Sequence, residues 1–95
     1  MTRKSSTKGS GNVFLDLGFD PVEAHVLQAR ANLMSDLRIY IRENKLTQAR
    51  AAKMLGVTQG RVSDLVRGKW EKFSLEMLMT LEGRLGRRVD VKIAA

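Results

Sequence analysis

Two short segments of this chain begin with the same dipeptide, Thr-Gln, and a Leu-Gly-Val turn lies between them. Each threonine, Thr47 and Thr58, can cap the unpaired backbone N–H groups at the start of a helix. We therefore predict one helix over residues 48–55 and a second over residues 59–66. Gly56 supplies the positive φ that ends the first helix. The turn is so short that the two helices must pack at a steep angle.

The apolar residues of this stretch have the spacing that a helix-turn-helix requires. Ala52 is the small residue where the first helix meets the second, and Val57 is the apolar residue of the turn. Val62 and Leu65 lie on the inner face of the second helix. A helix-turn-helix needs all of these features together, because its helices meet at close range through three or four residues. Residues 47–67 therefore predict a helix-turn-helix.

The flanking segments predict two further helices. Asp20 and Pro21 are typical of a helix start, and apolar residues follow at three- and four-residue steps to about residue 44. Ser74 can cap another helix, which Gly86 ends. The apolar stretch at residues 13–19 can either lie across the core or wait for a partner.

The C-terminal residues 88–94 predict a β-strand, because Val89, Val91 and Ile93 alternate with polar residues. The fold class is therefore mainly α, with four to five helices and one C-terminal β-strand. We assign residues 1–12, rich in Ser, Gly and Lys, to a disordered basic tail. Residues 13–93 form a single domain, since 95 residues leave no room for a second core.

Charge favours an anionic partner. The net charge is +7, and residues 42–72 carry eight Lys and Arg against three acidic residues. A basic surface of this kind binds nucleic acid or only solubilises the protein. The chain has no cysteine, no apolar run of membrane-spanning length and no hydrophobic signal segment after Met1, so we expect a cytoplasmic domain.

The segment "LTQARAAKMLGVTQGRVSDLVRGK" resembles the Xre-type helix-turn-helix of phage repressors and Cro proteins. The flanking "LGFDPVEA", "KFSLEML" and "GRRVDVKI" are similar, more narrowly, to the HigA-like antitoxins that pair with HigB-like toxins. The resemblance covers residues 13–93. It implies a phage-repressor-like bundle that binds double-stranded DNA.

In such domains the second helix of the pair enters the major groove. The amide of Gln59 can pair with N6 and N7 of adenine, and Arg61 can reach O6 and N7 of guanine. Ser63 and Asp64 are also expected to face the bases. The resemblance implies that Gln48 braces Gln59 and also touches phosphate.

Polar and basic residues around the two helix starts and after the second helix are expected to contact the phosphates, with ordinary solvated surface charge as the alternative. This phosphate set comprises Thr47, Gln48, Arg50, Thr58, Arg67, Lys69 and Lys72. Trp70 and Phe73 are expected to cover the edge of the core rather than to stack on bases.

A single strand leaves an unpaired edge. A second copy of the chain can pair with it through Val89, Val91 and Ile93, and the alternative is pairing with residues 13–17 of the same chain. We favour the homodimer, which places two recognition helices about 34 Å apart and predicts a palindromic operator.

The sequence thus predicts a DNA-binding repressor that is not an enzyme and that acts as the antitoxin of a HigB-like toxin ribonuclease. A stand-alone phage-type regulator, a small basic ribonuclease and a module that binds only protein are the alternatives. The toxin would bind within residues 13–40. His25 has no second ligand at metal spacing, so we expect no metal, cofactor or small-molecule ligand, and no membrane.

Overall fold

The computed structural model describes residues 11–94. Helices dominate this part of the chain, and a long second helix carries the others. In chain order the elements are α1 (Val13–Asp16), α2 (Pro21–Glu43), α3 (Gln48–Leu55), α4 (Gln59–Val66), a 3₁₀ turn (Trp70–Lys72) and α5 (Leu75–Arg84). The mainly helical fold class and the predicted helices are confirmed.

The helix starts follow from side-chain caps. Asp20, Thr47, Thr58 and Ser74 each accept a hydrogen bond from a backbone N–H two or three residues further on, over 3.0 to 3.2 Å. Each cap satisfies one donor that the first turn of a helix leaves unpaired. The two Thr-Gln dipeptides therefore mark two real helix starts.

The helix ends use left-handed residues. Glycine takes this conformation after α3, α4 and α5, with φ of 69° at Gly56, 74° at Gly68 and 83° at Gly86. After α2 the left-handed residue is instead Lys45, with φ of 52°, the one non-glycine residue of positive φ within residues 11–94. A side chain at such a position costs conformational energy that glycine avoids.

The main core lies between the C-terminal half of α2 and the three helices that follow. These apolar side chains are almost completely removed from solvent, which is the dominant stabilising contribution to such a fold. The buried cluster comprises Met34, Leu37, Ile41, Ala51, Ala52, Leu55, Val62, Leu65, Phe73, Leu78 and Leu81.

A smaller cluster joins the N-terminal segment to the core. Phe14 of α1 is buried with Ala24 and Leu27 of α2, and its ring meets the edge of Trp70 at a centroid distance of 5.7 Å. Residues 13–19 therefore pack across the core through Phe14, Leu15 and Phe19, while Val13 and Leu17 stay exposed.

Asn12 belongs to this folded part and not to the predicted tail. Its side chain is buried, accepts from the backbone N–H of Phe14 at 2.9 Å and donates to the carbonyl of Ala24 at 3.2 Å. Asn12 is the N-cap of α1. Residues 1–10 of the predicted tail lie outside the described residues.

The predicted C-terminal strand is wrong for the single chain, because no strand forms within residues 11–94. A strand requires a second strand for its backbone hydrogen bonds, and the described part of one chain offers none. Pairing with residues 13–17 is also wrong, since Val13–Asp16 is helical. The side chains of Val91 and Ile93 remain 74% and 96% exposed, while Val89 is half-buried.

Candidate nucleic-acid interface

The helix α4 is fixed in place by its inner face. Val62 and Leu65 are completely buried against α3 and α2, whereas Gln59 and Gly60 in the first turn are exposed. The short Gly-Val-Thr turn joins α4 directly to the end of α3. The N-terminal turn of α4 is therefore a rigid, solvent-facing edge of the molecule.

Gln59 is the predicted base-reading residue that this edge presents most openly. Gln48, at the start of α3, is also exposed, but no hydrogen bond joins the two amides in the part of the chain that the structure describes. The bracing contact that the resemblance implies is therefore absent here. Both amides keep their donors and acceptors available for a ligand.

Arg61 lies back on the protein. Its Nη1 donates to the carbonyl oxygen of Lys72 at 3.1 Å, and its guanidinium carbon lies 4.5 Å from the centre of the Phe73 ring. These contacts join α4 to the segment that follows it. A guanine contact by Arg61 requires its side chain to leave both partners.

Asp64 is partly neutralised by two lysines of the predicted phosphate set. Its carboxylate oxygens lie 3.9 Å from Nζ of Lys69 and 3.8 Å from Nζ of Lys72. Ser63, beside it, is half-buried. The acidic group thus lowers the positive potential just beyond α4, where the sequence predicted two phosphate contacts.

The other members of the predicted phosphate set are exposed on α3, at the starts of α3 and α4 and at the end of α4, and none has an acidic partner within the described residues. They are Thr47, Gln48, Arg50, Thr58 and Arg67. The cations among them are available for an external anion, in contrast to Lys69 and Lys72. Trp70 and Phe73 pack on the core as predicted, Phe73 being buried and Trp70 half-buried.

A family comparison agrees with this geometry. Residues 13–94 match the model of a family described as a helix-turn-helix domain. The chain belongs to this helix-turn-helix domain family. The match includes every helix from α1 to α5 and the C-terminal segment.

Among solved structures, the helix-turn-helix chain is similar to a protein described as a putative XRE family transcriptional regulator. The TM-score is 0.71 and the identity 38%, over 77% of this chain and 82% of that one. No curated protein matches the chain at a comparable level of significance. Family and fold together make it an XRE-type, DNA-binding transcriptional regulator.

One residue that supports the helix-turn-helix was not found from the sequence. Arg84 of α5 donates from Nη1 to the carbonyl oxygen of Leu55 at 2.8 Å, and the same guanidinium lies against Gly56. It thereby pairs a carbonyl that the end of α3 leaves without an intrahelical partner. The partners are 29 residues apart, so no local pattern could have indicated the contact.

A buried carboxyl, that of Glu82 in α5, lies next to α2. Burial and the neighbouring carboxylate of Asp36 raise the pKa of Glu82 from 4.5 to about 7, against the lowering effect of Arg87. Arg87 Nη1 lies 2.9 Å from Asp36 Oδ2 and 3.4 Å from Glu82 Oε1. The start of the C-terminal segment is therefore fixed to the helix-turn-helix domain.

Two properties of the helix-turn-helix chain bear on its surroundings. Within residues 11–94, no helix combines the length and the hydropathy needed to cross a membrane. The same residues hold no group of three or more His, Cys, Asp or Glu side chains arranged to bind a metal ion.

Proposed function

We propose that this regulator is a sequence-specific repressor, without catalytic activity, that binds a palindromic operator as a homodimer and serves as the antitoxin of a basic toxin ribonuclease. The exposed first turn of α4, held by the buried Val62 and Leu65, is the observation that carries the DNA-binding part of the proposal. Helices presented in this way enter the major groove of DNA with their N-terminal residues against the bases.

Base reading is assigned first to Gln59, because its amide is exposed and bonded to no other described residue. Gln59→Ala should remove a preference of about 1–3 kcal/mol for the base pair that it contacts, while most non-specific binding remains. Selection of bound duplexes from a random pool, followed by titration of the selected duplex and a scrambled one, measures this preference. Equal weakening on both duplexes would contradict the assignment.

Arg61→Ala separates the reading role from a structural role. Without the packing on Phe73 and the hydrogen bond to the Lys72 carbonyl, the melting temperature should fall whether or not the guanidinium reads a base. A relaxed preference at a guanine in the selected pool would show that Arg61 also leaves these partners on DNA. With an unchanged preference, Arg61 is a structural residue only.

The dimer is supported by an apolar groove of about 300 Å³ between α2 and α5. Leu33, Leu75 and Met79 line it together with Val89 and Val91 of the C-terminal segment. Val91 stays largely exposed in the single chain, and so does Ile93. A second copy that pairs its segment antiparallel with this one would provide the missing strand partner and bury these side chains.

The antitoxin role is supported by exposed apolar side chains on α1 and the first turns of α2. The exposed apolar residues here are Val13 of α1, Leu17 just after it, and Val22 and Val26 of α2. The surrounding residues 12–36 carry four acidic groups and one arginine. An apolar surface with an acidic surround is complementary to a basic protein.

Co-expression with the product of the neighbouring reading frame tests the antitoxin role. Val22→Arg should weaken the complex measured by size-exclusion chromatography, and Thr80→Arg on the exposed face of α5 is the matched control. If the neighbouring product binds neither the parent protein nor the control, while operator binding persists, the chain is a stand-alone regulator of the phage type. That regulator is the second candidate, because the geometry of α3 and α4 supports it equally.

A further inference from the structure

A basic groove lies beside the predicted DNA contacts and shares one residue, Gln48, with them. It has a volume of about 560 Å³ and is lined by Arg38 and Arg42 of α2, by Lys45 just after α2, and by Gln48 of α3. Ile41 and Leu46 form part of its wall. The three cations are exposed and have no acidic partner within residues 11–94.

The groove is bordered by the first residue of α3 and the last residue of α4. Gln48 belongs to the groove and also to the start of α3, where phosphate contacts are expected. Val66, the last residue of α4, lines the other end. Arg38 reaches the turn after α4, because a Cβ built on Gly68 would lie 3.3 Å from Nη1 of Arg38. The three cations therefore extend the basic surface of α3 and α4 onto α2.

Lys45 occupies a position that the rest of the fold gives to glycine. Its N–H donates to the carbonyl of Arg42, and the N–H of Leu46 donates to that of Ile41, both over 3.0 Å. This is the Schellman ending of a helix, whose left-handed residue is glycine after α4 and α5. The left-handed conformation at the end of α2 thus disfavours a lysine. The same conformation places the Lys45 side chain at the groove.

We propose that the groove of Arg38, Arg42 and Lys45 binds the sugar-phosphate backbone of DNA next to the major groove that α4 enters. The proposal rests on DNA binding through α4 and adds contacts that α3 and α4 do not supply. An unneutralised cation cluster takes up phosphate oxygens without reading the sequence. Arg38 and Arg42 lie one helical turn apart, and Lys45 follows less than one turn further. The three charges can therefore lie along one DNA strand.

Lys45→Gly tests this role without endangering the fold, since glycine relieves the left-handed backbone at this position. We expect an unchanged or higher melting temperature and weaker binding to every duplex. Combined with Arg42→Gln, it should reduce the slope of log K against log salt concentration by about 1.8, at about 0.9 for each phosphate that the variant no longer neutralises. The probe is a random-sequence duplex that covers three turns of the double helix.

Lys92→Ala is the matched control, because it removes an exposed cation from the C-terminal segment. It should leave the salt slope unchanged. Ethylation interference on the same duplex should show phosphates whose modification weakens the parent protein but not the double variant. A double variant with the slope and the interference pattern of the control would overturn the proposal.

Failure of this proposal and failure of sequence-specific repression give different results. If the parent protein binds DNA without sequence preference, the repressor role fails, while the smaller slope of the variant still reports the groove. If the parent selects an operator and the variant keeps its slope, only the groove proposal fails.

Discussion

The helix-turn-helix and the C-terminal segment have equally regular sequence patterns, but only the helix-turn-helix forms its predicted structure within one chain. In residues 47–67, each capping threonine bonds to a backbone N–H three residues away. In residues 88–94, the alternation of Val89, Val91 and Ile93 leads to no strand.

This difference reflects where the bonding partners lie. The backbone of a helix is paired within the helix, so local sequence decides where it begins and ends. The backbone of a strand is paired with another segment. An alternating pattern predicts that such a segment is needed but does not identify it. The C-terminal pattern therefore indicates a strand only if a second segment is available to pair with it.

Leu65→Ala should have the largest effect on stability, because it removes core packing from the helix-turn-helix, which folds within the single chain. Leu65 is fully buried between α4 and the core. Its truncation leaves a cavity and should lower the free energy of unfolding by about 2–5 kcal/mol. Denaturant unfolding followed by circular dichroism measures the decrease. A change below about 1 kcal/mol would mean that α4 is not held by the core as described.

Much of the fold could be predicted because its signals are short-range. Thr47, Thr58 and Ser74 cap the helices that they were expected to cap, and Gly56, Gly68 and Gly86 end them. The base-reading and phosphate residues remain predictions, although the structure exposes most of them. The side-chain direction of Arg61 could not be foreseen, because its partners at residues 72 and 73 depend on how the following turn packs.

Glu82→Gln tests the contact between the helix-turn-helix domain and the start of the C-terminal segment. Folding raises the pKa of Glu82 from 4.5 to about 7. The native protein therefore binds a proton that the unfolded chain releases between these values, and stability falls as pH rises through this window. Glutamine mimics the neutral form, so the variant should exceed the parent in stability above pH 7, by up to about 3 kcal/mol.

Urea unfolding at about pH 5 and about pH 8 measures this effect as the difference between the two proteins. The stabilities of the two proteins should approach each other at the lower pH, where Glu82 is protonated in the native chain and begins to be protonated in the unfolded chain. A parent and a variant that lose the same stability between the two pH values would show that Glu82 does not carry the dependence.

Gly60→Ala should have opposite effects on the stability of α4 and on DNA binding. A Cβ at this position would meet only Oγ1 of Thr58, at 3.8 Å, which is an ordinary contact. Alanine should therefore stabilise the helix by about 0.5–1 kcal/mol. If the DNA approaches the first turn of α4 closely, the added methyl group should nevertheless weaken operator binding. Thermal melting and a binding titration on the same sample measure the two effects, and tighter binding by the more stable variant would exclude a close approach here.

Ile93→Ser should have the smallest effect on the single chain and the most informative one on the assembly. Ile93 is 96% exposed, so its replacement should change the stability of a monomer by less than about 0.5 kcal/mol.

A homodimer gains stability with protein concentration, because association favours the native state by mass action. If the C-terminal segments pair, the melting temperature of the parent should rise with concentration, and that of the variant should rise much less. Lys92→Ser, on the opposite side of the same segment in an extended conformation, should behave as the parent does. Melting temperatures independent of concentration in all three proteins would mean that the alternation at residues 88–94 serves something other than a second copy of the chain.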